Sequence, residues 1–173
     1  MTRQDPTLVG KVLFEGDLAT LKFQRRLSHP PEAVWEALTD PKQLSLWYMM
    51  QAAVDGRKGG SIDFSGGPGQ YNVTGSILKW DPPRVLEYEW KIRPRPGMPS
   101  GEDAVVRWEL DRDGANTVLT LTHRNVTRQT ATGVAPATHV LLDRLAAHLD
   151  GRPLPDMKHR FAEVMGNYPA RER

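Results

Sequence analysis

The stretch Phe23 to Trp47, FQRRLSHPPEAVWEALTDPKQLSLW, constrains this chain most, because its punctuation fixes a strand followed by two short helices. Pro30-Pro31 cannot extend a central strand, whereas proline at the first helical position is preorganised, so Glu32 to Leu38 is predicted helical with Val34, Ala37 and Leu38 inward. Asp40-Pro41-Lys42-Gln43 then supplies an N-cap, a first-position proline and a glutamine three residues after the cap. In the second helix that follows, Leu44, Trp47 and Tyr48 fall on one face and bury an aromatic pair.

Residues 8 to 28 read as strand material broken at Glu15-Gly16-Asp17, and Ala19 to Leu27 alternates, with Leu21, Phe23 and Leu27 opposed to Lys22, Gln24 and Arg26. Alternation puts Arg25 on the apolar face, either snorkelling out at a sheet edge or serving as a polar group inside a cavity. After residue 50 the period is two. The strands expected are Met50 to Val54, Ser61 to Ser65, Tyr71 to Trp80, Val85 to Ile92, Asp103 to Asp111 and Asn116 to Val126. Asp113-Gly114 reads as a hairpin turn, and Arg93 to Asp103, RPRPGMPSGED, as a mobile loop. From about Pro136 the period returns to 3.6, with Leu141, Leu142, Leu145, Ala146 and Leu149 on one face and Gly151 and Pro153 closing the helix. Asp156 to Gly166 reads as a shorter last helix. An antiparallel sheet with one apolar face needs a cover, and the long helix is the element large enough to provide it.

At 173 residues the length suits one domain, taken as residues 1–173 with a core at about 18–152 and a helical extension at about 156–166. No apolar run is long enough for a membrane helix, and MTRQDPTLVG lacks the pattern of a signal peptide, so the expected location is the cytoplasm. The absence of cysteine excludes disulfides, thiolate catalysis and cysteine-type zinc sites. A net charge of +2 with scattered basic residues argues against nucleic acid as a partner.

Catalytic motifs are not evident. His29, His123, His139, His148 and His159 form no metal-ligand spacing, so neither a metal nor a cofactor is expected. Gly59-Gly60 and Gly66-Gly67-Pro68-Gly69 read as hairpin turns rather than phosphate loops, and Glu87, Glu89 and Glu109 alternate outward. His123 shares an inward face with Leu119 and Leu121, as a core residue or as a ligand contact, and His139 stands four residues before Asp143. The inward faces also carry a surplus of aromatic side chains: Trp35, Trp47, Phe64, Tyr71, Tyr88, Trp90 and Trp108.

The run RRLSHPPEAVWEALTDPKQLSLW resembles the activator of Hsp90 ATPase homologue 1-like (AHSA1) family of the START-like, SRPBCC superfamily, matching at Pro31, Val34, Trp35, Leu38, Thr39, Asp40, Pro41, Leu44 and Trp47. Ile77 to Trp90, with its Pro82-Pro83-Arg84 turn, Leu121-Thr122-His123, and His139 through Gly151 are similar to later family segments. Many relatives carry Gly-Trp before the helix histidine, where Ala137-Thr138 stand here. The resemblance, over roughly residues 18 to 152, implies an α+β helix-grip fold of the START-like, Bet v 1-like kind, a curved antiparallel sheet wrapped around a long C-terminal helix. It also implies a small hydrophobic or aromatic ligand, a lipid, polyketide or similar, in the cavity between sheet and helix. The expected liners are Trp35, Phe64, Tyr88, Trp90, Trp108, His123 and Leu142, with Arg25 as anchor. Two alternatives stay open: an enzyme of the polyketide cyclase or aromatase type using His123 or His139, and a chaperone-binding interaction module. Either a monomer or a homodimer fits.

Overall fold

The computed structural model describes residues 5–67 and 69–172, so the opening Met1 to Gln4, Pro68 of the glycine stretch and the last residue, Arg173, lie outside the described residues. In chain order the elements are a 3-10 turn (Pro6–Leu8), β1 (Lys11–Glu15), β2 (Leu18–Leu27), α1 (Pro31–Thr39), α2 (Pro41–Trp47), β3 (Met50–Val54), β4 (Ser61–Gly66), β5 (Tyr71–Asp81), β6 (Val85–Ile92), β7 (Glu102–Asp113), β8 (Asn116–Thr127), α3 (Arg128–Leu149), α4 (Met157–Val164) and a closing 3-10 turn (Met165–Asn167). The strands form one antiparallel sheet in the order β1-β2-β8-β7-β6-β5-β4-β3. The fold is the α+β helix-grip, with α3 against the concave face.

The local punctuation acts as the sequence predicts. Pro31 and Pro41 each open a helix, and the Asp40 carboxylate accepts the Lys42 amide at 3.1 Å. The Trp47 indole donates to the Ala37 carbonyl at 2.8 Å and fixes the angle between the two helices. In β8, Thr117, Leu119, Leu121, His123 and Val126 are buried; the bulge residue Asn125, at φ 60°, shifts the alternation before Val126. The β7–β8 turn sits one position later than Asp113-Gly114. Asp113 pairs with Asn116, so Gly114 and Ala115 form the loop, and Gly114 takes φ 61°.

One stretch differs from the sequence reading, and another carries contacts that it did not foresee. First, α3 starts at Arg128 rather than near Pro136, which is buried inside the helix. The helix start is held from another strand: Glu102 of β7 accepts the Thr127 amide at 3.0 Å and the Thr127 hydroxyl at 2.5 Å. Proline 136 contributes no amide to the helix ladder, a local loss that the flanking turns absorb. Ala137 and Thr138 are therefore mid-helix, and the Thr138 hydroxyl donates to the Val134 carbonyl. Second, the stretch 93–103 carries turn hydrogen bonds. Arg95 and Met98 exchange backbone bonds at 3.0 and 2.8 Å, and the Arg95 guanidinium donates to the Gly69 and Gln70 carbonyls beside the Tyr71 ring.

The C-terminal segment is tied back by polar groups. Arg144 of α3 donates to the Leu46, Trp47 and Pro155 carbonyls at 3.0, 2.9 and 2.5 Å, placing a cation at the C-terminal end of α2. Tyr168 accepts the Gly10 amide at 2.9 Å and shares a 2.8 Å hydrogen bond with His139 Nδ1. Among the described residues no helix is long and apolar enough to cross a membrane.

Candidate functional site

Strand register brings the aromatic side chains together. Tyr88 of β6 lies opposite Val106 of β7, which lies opposite His123 of β8, so the three form one row on the concave face. The neighbouring rows are Leu86–Trp108–Leu121 on one side and the Trp90–Ala104 pair on the other. Across the small Ala104 side chain the Trp90 and His123 rings meet edge to face, with centroids 4.6 Å apart. From the far half of the sheet Phe64 packs on Tyr88 at 5.7 Å. From α2, Trp47 meets Trp108 at 6.5 Å, and Tyr48, just past the helix end, meets Phe64 at 5.8 Å.

These rings enclose a seam lined by Leu38, Leu44, Trp47, Tyr48, Phe64, Tyr88 and Trp108, too tight in this conformation for a water-sized sphere. Its polar atoms are few. The Trp108 indole donates to the Tyr88 hydroxyl at 3.2 Å. Burial holds the Tyr88 phenol well above the ordinary range, and burial, opposed by the Trp90 indole N–H, pushes the Tyr48 phenol up to about 12. Both hydroxyls therefore keep their protons at any ordinary pH. His123 is 5% exposed, and its Nε2 has no hydrogen-bond partner. Burial alone lowers its pKa to about 3, which makes it a neutral imidazole. A neutral imidazole offers one ring nitrogen as a donor and the other as an acceptor of hydrogen bonds.

Of the residues expected around a cavity, Phe64, Tyr88 and Trp108 line the seam, Trp90 and His123 adjoin it through the Tyr88 row, and Leu142 is buried on α3. Two lie elsewhere. Trp35 is half-buried and packs edge-on against Trp80 at 5.0 Å. Arg25 is buried in a polar node with α3 and α4: it donates to the Leu8 carbonyl at 2.5 Å, its Nη2 stands 3.5 Å from Asp143, and Arg160 binds the same carboxylate at 2.9 Å. His139 belongs to that node, with Nε2 3.6 Å from Asp143. Burial is the main cause that lowers its pKa, to about 4. A His–Tyr pair does converge there, but neither His139 nor Tyr168 lines the seam. Leu38, Leu44, Trp47 and Tyr48 line the seam without having been among the expected liners, although the shared face of Leu44, Trp47 and Tyr48 was readable.

The overall fold recurs in solved structures. CalU16 from Micromonospora echinospora is 26% identical over 92% of each chain, with a TM-score of 0.69. A Mesorhizobium loti protein is 23% identical, covering 78% of this chain and 99% of its own, at 0.68. A conserved Enterococcus faecalis protein of unknown function is 15% identical, covering 91% and 89%, also at 0.68. No curated protein matches the sequence. The model of the activator of Hsp90 ATPase homologue 1-like family matches residues 28–150, which spans α1, α2, six of the sheet strands and all of α3. With that match covering well over half the sequence and the helix-grip in place, this chain belongs to the AHSA1 family.

Proposed function

We propose that the protein binds a small aromatic or largely apolar molecule between the sheet and α3, in a chamber formed when the seam around Phe64, Tyr88 and Trp108 opens. The observation that carries this reading is His123. Leaving a buried nitrogen without a partner costs about 1–3 kcal/mol, and native proteins seldom retain such a group without a use for it. Here the orphan Nε2 sits in an aromatic interior, in one row with the Tyr88 hydroxyl, the arrangement of a ligand pocket with few polar contacts. The imidazole and Tyr88 would orient a hydroxyl or carbonyl of the ligand, while Trp90, Trp108, Phe64 and Leu142 supply apolar contact. Entry requires Tyr48 to swing off Phe64, and Tyr48 is followed directly by Met49, which holds φ 61°, a conformation that side-chain-bearing residues adopt at some cost.

Trp47, Trp90 and Trp108 make the binding observable. Titrating flavonoids, aromatic polyketides and lipids into the protein should quench intrinsic fluorescence saturably for at least one class, and His123→Leu should weaken that binding about tenfold, the worth of one buried hydrogen bond at its upper range. Absence of saturable quenching across all three classes, or equal affinity in the His123→Leu protein, would overturn the reading.

A further inference from the structure

A groove of about 580 Å³ opens at the start of α3 and shares no residue with the aromatic seam. Its walls are the β1–β2 hairpin at Phe14 and Asp17, the β6–β7 connection at 97–102, the first turns of α3, and the C-terminal tail at 169–172. The hairpin and the tail both lie outside the family-matched residues 28–150, so two of the cavity's four walls come from segments flanking that match, and the other two from within it. Its size is that of a small-molecule site. It also gives the proline- and glycine-rich stretch 93–103 a role, as one wall.

The chemistry of the walls is specific. Phe14, Met98 and Pro99 supply apolar surface. The Arg128 guanidinium lies over the Phe14 ring at 4.1 Å, and its Nε donates to the Gly16 carbonyl at 3.1 Å. Its nearest carboxylate, Glu172, is 3.8 Å away and 83% exposed, so the Nη groups of Arg128 make no hydrogen bond among the described residues. Arg171 donates through Nε and Nη2 to the side-chain oxygen of Gln129, and among the described residues no acid pairs with it. The acid deepest in the groove, Glu102, is 5% exposed and already accepts both the amide and the hydroxyl of Thr127. The cations therefore have bonding capacity to spare, and the buried acid has little. An arginine stacked on an aromatic ring keeps its N–H edge free for a planar, bidentate acceptor.

We propose that this groove is a second binding site, for a small amphipathic carboxylate whose chain lies on Phe14, Met98 and Pro99 and whose carboxylate is received by Arg128 and Arg171. The proposal is independent of the interior chamber, and the test separates the two. Calorimetric titration of the full chain with decanoate, decanol and decylamine should show binding of decanoate, with decanol weaker by about tenfold or more because it lacks the charge-assisted pair. Decylamine should not bind. Arg128→Gln should weaken decanoate about tenfold or more; Arg171→Gln, on the exposed tail where the fold is not at stake, should weaken it in the same direction. His123→Leu should leave decanoate affinity unchanged.

Equal affinity for decanoate and decanol, no decanoate binding at all, or full affinity in both arginine variants would each overturn the groove proposal. Decanoate binding lost in His123→Leu and kept in both arginine variants would place the ligand in the chamber, overturning this proposal while supporting the interior reading.

Discussion

Replacing His123 by Leu tests whether the buried imidazole is kept for function at a cost to stability. Two opposing changes act at pH 7.5. The variant removes a buried nitrogen without a partner, worth about 1–3 kcal/mol, and it loses the edge-to-face contact with Trp90, worth about 0.5–1.5 kcal/mol. The unliganded protein should therefore gain roughly 1 kcal/mol, unusual for a core substitution. The pH dependence is the sharper part. His123 has a folded-state pKa of about 3 against an ordinary value near 6.5, so between those limits the unfolded chain binds a proton that the folded chain does not. Stability then falls as pH falls through 6.5 and levels off only below 3. At pH 5 the loss is about 2 kcal/mol, one and a half pH units at about 1.4 kcal/mol each. Leucine has no such proton, so its advantage over the parent should widen from roughly 1 kcal/mol at pH 7.5 to about 3 kcal/mol at pH 5. His139, also depressed, contributes to the acid lability of both proteins and cancels in the difference. Urea unfolding of the two proteins at pH 7.5, 6 and 5 measures this. A stability difference that stays constant across that range would refute the placement of a neutral, buried imidazole at position 123.

Two further substitutions probe how the C-terminal segment is tied down. Tyr168→Phe leaves the Gly10 amide and His139 Nδ1 without their partner and should cost about 2 kcal/mol, read as a fall of roughly 4–8 °C in Tm; an unchanged Tm would mean that the hydroxyl holds nothing. Arg144→Met strands the Leu46, Trp47 and Pro155 carbonyls and should cost about 3 kcal/mol in urea unfolding, whereas Arg152→Met, which removes an exposed pair with Asp150, should change stability by no more than about 0.5 kcal/mol.

How much of this was legible in the sequence depends on how far each determinant reaches along the chain. The two short helices were legible because Pro31, Asp40 and Pro41 act on their immediate neighbours, and the strands because burial on one face writes a period of two. The start of α3 was not, because its carboxylate partner, Glu102, comes from β7. A scan along the helix meets Pro136 as the first recognisable start signal and has no way to see an acid delivered by a neighbouring strand. Arg144 was hidden for the same reason. It lies off the apolar face that reads as a helix stripe, yet it is 8% exposed because three backbone carbonyls converge on it from α2 and from residue 155.

The candidate site divides along the same line. Alternation correctly put Arg25 and His123 on inward faces, and it could not separate their roles, since both read as polar residues among apolar ones. The difference lies in what the fold brings opposite each. Among the described residues three buried side-chain nitrogens lack a hydrogen-bond partner: Arg25 Nη2, His139 Nε2 and His123 Nε2. The first two face one carboxylate, Asp143, at 3.5 and 3.6 Å, so the charge of the node compensates them even without a formed hydrogen bond. His123 has no such neighbour: burial is the sole cause of its shift, and the Trp90 ring packs edge-on against it. A structural account therefore satisfies Arg25 and His139, and the same account leaves His123 unexplained. That asymmetry is the reason for proposing His123 as a ligand contact, whereas Arg25 is accounted for by the node it shares with Asp143 of α3 and Arg160 of α4.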